Sequence, residues 1–152
     1  MGQIEERLRE LGIALPQPRR PVANYVPARR AGNLVFTAGQ VSGSGEREYT
    51  GKLGAELTID QGREAARTCA LNCLAALLTV IDSLDQVVQI VRVNAFVNSA
   101  PGFDQQPAVA NGASDLLVDV FGDAGRHTRV AVGASDLPGG FAVEVDLIVA
   151  LG

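Results

Sequence analysis

The stretch Thr128–Gly133, TRVAVG, is apolar but for its leading Thr and Arg129, and Glu144 stands between Val143 and Val145. A charge in an apolar strand is costly unless it is paired or kept wet. Arg129 offers a planar fork suited to a carboxylate. Ala131 and Gly133, on the same side of its strand, leave room for a ligand or another subunit. Glu144 lies on the opposite arm of what reads as a hairpin, whose register the sequence does not fix. The two charges either serve a bound anion or form an ion pair that holds the hairpin. Other candidates carry two readings each. Gly39, in the TAGQ stretch Thr37–Gln40, brings backbone N–H close to a ligand or simply bends the chain. Tyr25 opens a strand and reaches a pocket or an interface. Asn111 interrupts an apolar helical run as a cap or as a bond to the sheet, and His127, the single histidine, reads as a surface or interface side chain in preference to a general base. No phosphate-cradling loop, Ser-His-Asp order or dinucleotide fingerprint occurs.

The elements that must position these residues follow from periodicity. Ile4, Leu8 and Leu11 form one helical stripe that ends at Gly12, and the proline-rich ALPQPRRP after it reads as an extended connector. YVPARRAGNLVFTAGQ holds two strands around a turn at Ala31-Gly32-Asn33; its second strand is apolar enough to be covered on both faces. SGSGEREYTGKLGAE reads as a surface loop. Thr58 and Gln61 form a capping box before a long helix, QGREAARTCALNCLAALLTVI, whose small residues allow close approach to a sheet. VVQIVRVNAFV alternates, with Val91, Val93, Ala95 and Val97 on one face. Val109, Ala110, Ala113, Leu116, Leu117 and Val120 share a helical face that Gly122 ends. After an initial helix the order is β-β-α-β-α-β-β, an α+β chain with helices on one face of a mixed sheet.

At 152 residues, 47% hydrophobic and 20% charged, the chain suits one globular domain. Residues 1–22 read as a helix and connector, and residues 23–152 as the domain proper. A formal net charge of −4 argues against nucleic acid as the main partner, and the pairs Arg19-Arg20 and Arg29-Arg30 read as solvated surface. No apolar run is long enough to span a membrane, and the charged N-terminus is unlike a signal peptide. Cys69 and Cys73 lie four apart in a helical pattern, where a disulfide would be strained. Two buried thiols are expected, which fits a reducing cytoplasm. No ligand set for a metal is completed.

Together these motifs resemble the Rid family, also called RidA/YjgF, from about Ala23 to the end. NYVPARRAGNLVFTAGQ is similar to that family's Tyr-opened first hairpin, and TRVAV to its arginine strand. Leu137-Pro138 and the VEV at Val143–Val145 follow in family order, and Asn111 falls on the second-helix Asn. The resemblance implies a chorismate-mutase-like fold, a homotrimer with a site at each subunit interface, and no metal or organic cofactor. It implies hydrolysis of reactive enamines and imines, such as 2-aminoacrylate, to 2-keto acids and ammonia. Arg129 would then bind the substrate carboxylate with help from the Gly39 backbone. Glu144 would position or activate the attacking water, and Tyr25 and Asn111 would line the pocket. Ala38 stands where the family's deaminases usually have Ser, and Ala131 where they often have Cys. A non-catalytic trimeric binder of small carboxylates is therefore the alternative, and a ribonuclease, which needs a basic groove, a third reading.

Overall fold

The computed structural model describes residues 2–45 and 47–152; Met1, and Glu46 of the Gly/Ser-rich loop, lie outside the described residues. The elements are α1 (Gln3–Glu10), β1 (Ala28–Ala31), β2 (Leu34–Thr37), β3 (Gln40–Val41), α2 (Ile59–Leu77), β4 (Val87–Asn98), α3 (Gln106–Phe121), β5 (Thr128–Ala134) and β6 (Val143–Leu151). The short β3 is one strand more than the sequence pattern predicts. The sheet runs β1-β2-β6-β4-β5, with β3 added along β6 beyond β2. Only β4 and β5 are parallel, joined by the α3 crossover.

The core lies between the sheet and α2 and α3. Val143, Val145, Leu147, Val149 and Leu151 of β6 are buried, and the residues between them are only half-covered. That is the alternation of a sheet whose helices lie on one face. Thr58 and Gln61 close both halves of the capping box on α2. The helix ends at Leu77, earlier than its apolar pattern suggests; the chain tightens there, with the Thr79 amide and hydroxyl both donating to the Ala76 carbonyl, at 3.1 and 2.7 Å. Small residues do bring the helices close. A Cβ at Gly112 of α3 would run into the backbone carbonyl of Arg63 on α2.

Three expectations change. Residues 128–151 do not form a hairpin: β6 pairs with β2, β3 and β4, and β4 separates it from β5. Alternation marks a strand but says nothing about its partner, and the α3 crossover makes β5 pair back onto β4. The β2 strand is covered on one face only, since Val35 is fully buried and Phe36 is 42% exposed. Val91 leaves the core face of β4. An irregularity between Ile90 and Arg92 gives that place to Ile90, as a β-bulge does.

The N-terminal segment is tied to this body. Asp85 accepts hydrogen bonds from the Gln3 and Ile4 amides at 3.0 and 2.8 Å, which satisfies first-turn donors of α1. Leu8 joins the core, and Ile4, Leu11, Ile13 and Leu15 pack against it. The connector then runs beside α2, where Leu15, Pro16 and Gln17 line one hollow with Thr68 and Leu71. It reaches the end of the sheet that bears β3.

Candidate active site

Glu144 lies on the face of β6 away from the helices, between Phe96 of β4 and Val41 of β3. Its neighbours Val143 and Val145 point into the core, so strand geometry alone sends its carboxylate outward. Gly39 stands directly against it. A Cβ there would collide with the carboxylate and lie 3.0 Å from Cδ and 3.3 Å from Cγ. Glycine is what permits this approach. Among the described residues the Glu144 carboxylate has no hydrogen-bond or ion-pair partner. Burial, and secondarily the nearby charge of Asp146, pushes its pKa above the ordinary carboxylate value. Asp146 itself is engaged, accepting from Asn94 Nδ2 at 2.7 Å.

Glu144, Gly39 and Tyr25 line one cleft of about 210 Å³, together with Ala38, Gln40, and Arg19 and Arg20 of the connector. Its two arginines are the connector pair that the sequence presents as solvated surface, and both are exposed. Arg19 donates to the Gly43 carbonyl at 2.9 Å and stacks over the Phe141 ring at 5.6 Å. The available signal was the proline on either side of the pair, Pro18 and Pro21, which stiffens the backbone that presents it.

Arg129 is elsewhere. It pairs in register with Val93, whose side chain is fully buried, so it projects on the helix face of the sheet. There it donates to Asn111 Oδ1 at 2.8 Å and Ser114 Oγ at 3.1 Å, both on α3, and more distantly to the Pro107 carbonyl. The relay continues to His127. Its Nδ1 lies 2.6 Å from the Gly125 carbonyl and must donate there, so Nε2 accepts from the Ser114 hydroxyl at 2.9 Å. Burial, then the Arg129 charge, lowers the His127 pKa, against the opposing pull of the Gly125 carbonyl. The ring is therefore neutral at physiological pH and accepts from Ser114. Ser114 is not among the residues the sequence singles out, because it lies on α3 fifteen positions before Arg129; His127, two residues before Arg129, is a candidate there but not as a member of this relay.

The five predicted residues thus form two groups. Tyr25, Gly39 and Glu144 share a cleft beside β3, and Asn111 holds Arg129 over α3. Within one chain the groups lie on opposite faces of the sheet with β4 between their strands. The alternative of an Arg129–Glu144 ion pair holding a hairpin is thereby removed.

Among the described residues no cluster of His, Cys, Asp or Glu could hold a metal ion. Cys69 and Cys73 are fully buried free thiols that donate to the Val143 and Val145 carbonyls, and burial above all raises both pKa values. No helix is long and apolar enough to cross a membrane.

Comparison with known proteins agrees with the fold. The family model described as YjgF/chorismate mutase-like, putative endoribonuclease, matches residues 5–149. The match takes in α1 and the connector as well as the sheet. Protein TCP17 of Trypanosoma cruzi is 45% identical over 152 residues, covering 99% of this chain and 95% of that protein. The crystal structure of Atu1372 from Agrobacterium tumefaciens is 39% identical with a TM-score of 0.91, over 98% of this chain and 92% of that one. A crystal structure described as a putative endoribonuclease from Shewanella oneidensis is 32% identical with a TM-score of 0.94, over 99% of this chain and all of that one (100%). With its chorismate-mutase-like α+β sheet, this chain belongs to the YjgF/chorismate mutase-like family.

Proposed function

We propose that this chain hydrolyses reactive enamines and imines of the 2-aminoacrylate type to 2-keto acids and ammonia, in a homotrimer whose sites lie between subunits. The observation that carries the reading is Glu144: a half-buried carboxylate with no partner among the described residues, set against a glycine in a cleft that also holds Tyr25. Such a group, its pKa raised above the ordinary carboxylate value by burial, suits general-base work. The other half of the chemistry is a guanidinium already aimed by Asn111 and Ser114. Neither half is complete within one chain, so a second copy supplies Arg129 to the cleft that holds Glu144.

In the proposed site the neighbour's Arg129 takes the substrate carboxylate through a two-pronged hydrogen bond, assisted by the Gly39 N–H. An enamine first tautomerises to its imine. Glu144 removes a proton from water as the water oxygen bonds to the imine carbon. Glu144 then returns that proton to the nitrogen to give a carbinolamine; it next takes the carbinol hydroxyl proton and passes it to the nitrogen as the C=O bond forms and the C–N bond breaks, so that ammonia leaves a 2-keto acid. Apolar side chains on the open sheet face support assembly. Phe36, Val130 and Val132 are 42%, 38% and 46% exposed, an unusual grouping for a face left in water. Ala38 and Ala131, where the family's deaminases carry Ser and often Cys, favour the second reading, a trimeric carboxylate binder without turnover.

Mixing tests the site and its location together. Arg129→Ala and Glu144→Gln subunits are each expected to be inactive on freshly generated imino acids. Unfolded and reassembled together in equal amounts, they restore about one quarter of the sites in a cyclic trimer, where each site draws one residue from each of two neighbours. Wild type that turns over no imine while binding keto acids returns the binder reading. Active wild type without complementation, or a monomer by light scattering, removes the shared site.

A further inference from the structure

We propose that the connector arginines make the Glu144 cleft selective for substrates with a second anionic group, namely a side chain ending in a carboxylate. This rests on the deaminase reading of the same cleft and narrows its substrate class. The charge inventory is the first argument. Arg19, Arg20 and Glu144 line the cleft, so its own wall carries two cations and one anion. The reaction as written uses the neighbour's Arg129 for the 2-carboxylate. That leaves the cleft's own cations unassigned.

Their engagement is the second argument. Arg19 is held by the Gly43 carbonyl and the Phe141 ring, and so works as the pin that fastens the connector to the sheet end. Arg20 has no hydrogen-bond or ion-pair partner among the described residues. It also makes no ion pair with Glu144, although both line one cleft. Opposite charges that face a common space without meeting leave that space for something between them. A ligand there with water and imine carbon at Glu144 would direct its far end toward Arg20.

The third argument is mechanical. An arginine on a loose tail would lose much of its ion-pair energy to ordering. Here α1 is fastened at Asp85 and at the Asp119 carbonyl, which accepts from Arg7 Nε at 2.8 Å. Pro16, Pro18 and Pro21 then stiffen the run up to the cleft. The connector is prepaid in backbone order. Arg20 is solvent-exposed in the single chain, so the preference is modest, about five- to tenfold, until a ligand or a neighbour dries the site.

The test uses two product analogues of equal carbon count, 2-oxovalerate and 2-oxoglutarate, which differ only in a terminal methyl or carboxylate. Both are titrated calorimetrically into the wild-type protein, Arg20→Gln and Arg30→Gln. The last variant makes the same change in net charge on exposed β1. Wild type is expected to favour 2-oxoglutarate about five- to tenfold at equal ionic strength. Arg20→Gln should bring the ratio near one while 2-oxovalerate affinity stays put, and Arg30→Gln should keep the preference. Equal affinity for the two acids in wild type, or equal losses in the two variants, overturns the proposal and leaves the deaminase reading standing. Binding of neither acid by wild type removes both.

Discussion

The contact between Gly39 and Glu144 makes a prediction that separates chemistry from stability. In Gly39→Ala the new methyl would lie 3.0 Å from Glu144 Cδ and 3.3 Å from Cγ. Comfortable carbon contacts begin near 3.5 Å and the nearer carboxylate oxygen is struck outright, so the carboxyl arm must swing by about 1 Å or turn to another rotamer. The backbone does not resist, because Gly39 is not among the glycines with positive φ. Nor does a hydrogen bond hold the carboxylate in place. The cost is then that of an awkward rotamer, about 0.5–1.5 kcal/mol. For a chain of this length that lowers the melting temperature by about 1–6 °C. Turnover should suffer far more, since the displaced group is the one proposed to take the water's proton; loss of a positioned base costs about 10²–10⁴-fold. Imine hydrolysis is followed by 2-keto acid formation, with thermal melts on the same samples. Keto-acid affinity should largely survive, because Arg129 is untouched. A variant that melts several degrees lower yet keeps kcat within tenfold of wild type would refute the placement of the base.

The other predictions concern pH, packing, thiols and RNA. The folded-state pKa of Glu144 is raised above its ordinary 4.5, so the folded chain holds that proton more tightly than the unfolded chain, and the associated stability, full below the unfolded value, is lost as pH rises through the folded one. Glu144→Gln should therefore melt at or above wild type at pH 7, with the advantage closing below about pH 4.5, and the acid limb of wild-type kcat should lie above the ordinary carboxylate range. Gly112→Ala gains about 1 kcal/mol of helix propensity but drives a methyl into the Arg63 carbonyl; a net loss of about 1–3 kcal/mol is expected by chemical denaturation. Cys69 and Cys73, both at 0% exposure, should react with a thiol reagent only at the rate of unfolding. RNA affinity should be weak at physiological salt, as the net charge of −4 implies, and submicromolar, salt-sensitive binding would contradict this.

What was legible in the sequence was what local physics decides. The Thr58–Gln61 capping box, the six apolar positions read along α3, all of them buried, and the alternation of β6 depend on neighbours within a few residues. Strand partners are a different matter. Nothing in residues 128–151 announces that β4 lies between their two strands, because β4 comes from a segment far upstream. The bulge that swaps Ile90 for Val91 is likewise invisible in a run where both are apolar. The arginines of the connector are exposed, as their pattern predicts, but the cleft they line is hidden from the sequence for a related reason. An exposed Arg-Arg pair looks the same whether water or a cleft lies in front of it, and only the path from α1 beside α2 decides.

The same alternation that was easy to read explains the hardest feature of the candidate site. With a side-chain period of two, Arg129 shares the helix face with Ala131, while Val130 and Val132 are sent to the open face. On β6 the core valines force Glu144 the other way. Moving either charge to its counterpart's face would require a one-residue slip that also turns every core residue of that strand outward. The chain therefore cannot bring Arg129 and Glu144 together by any small internal adjustment. If they act on one substrate, two copies must meet. The exposed apolar row on the open face and the open edge of β5 beyond Arg129 are the surfaces such a meeting would cover. Subunit association would then complete the site and shelter the apolar face in one step. On this reasoning turnover per subunit should fall on dilution in parallel with trimer mass, whereas a site contained in one chain would keep its specific activity after the subunits separate.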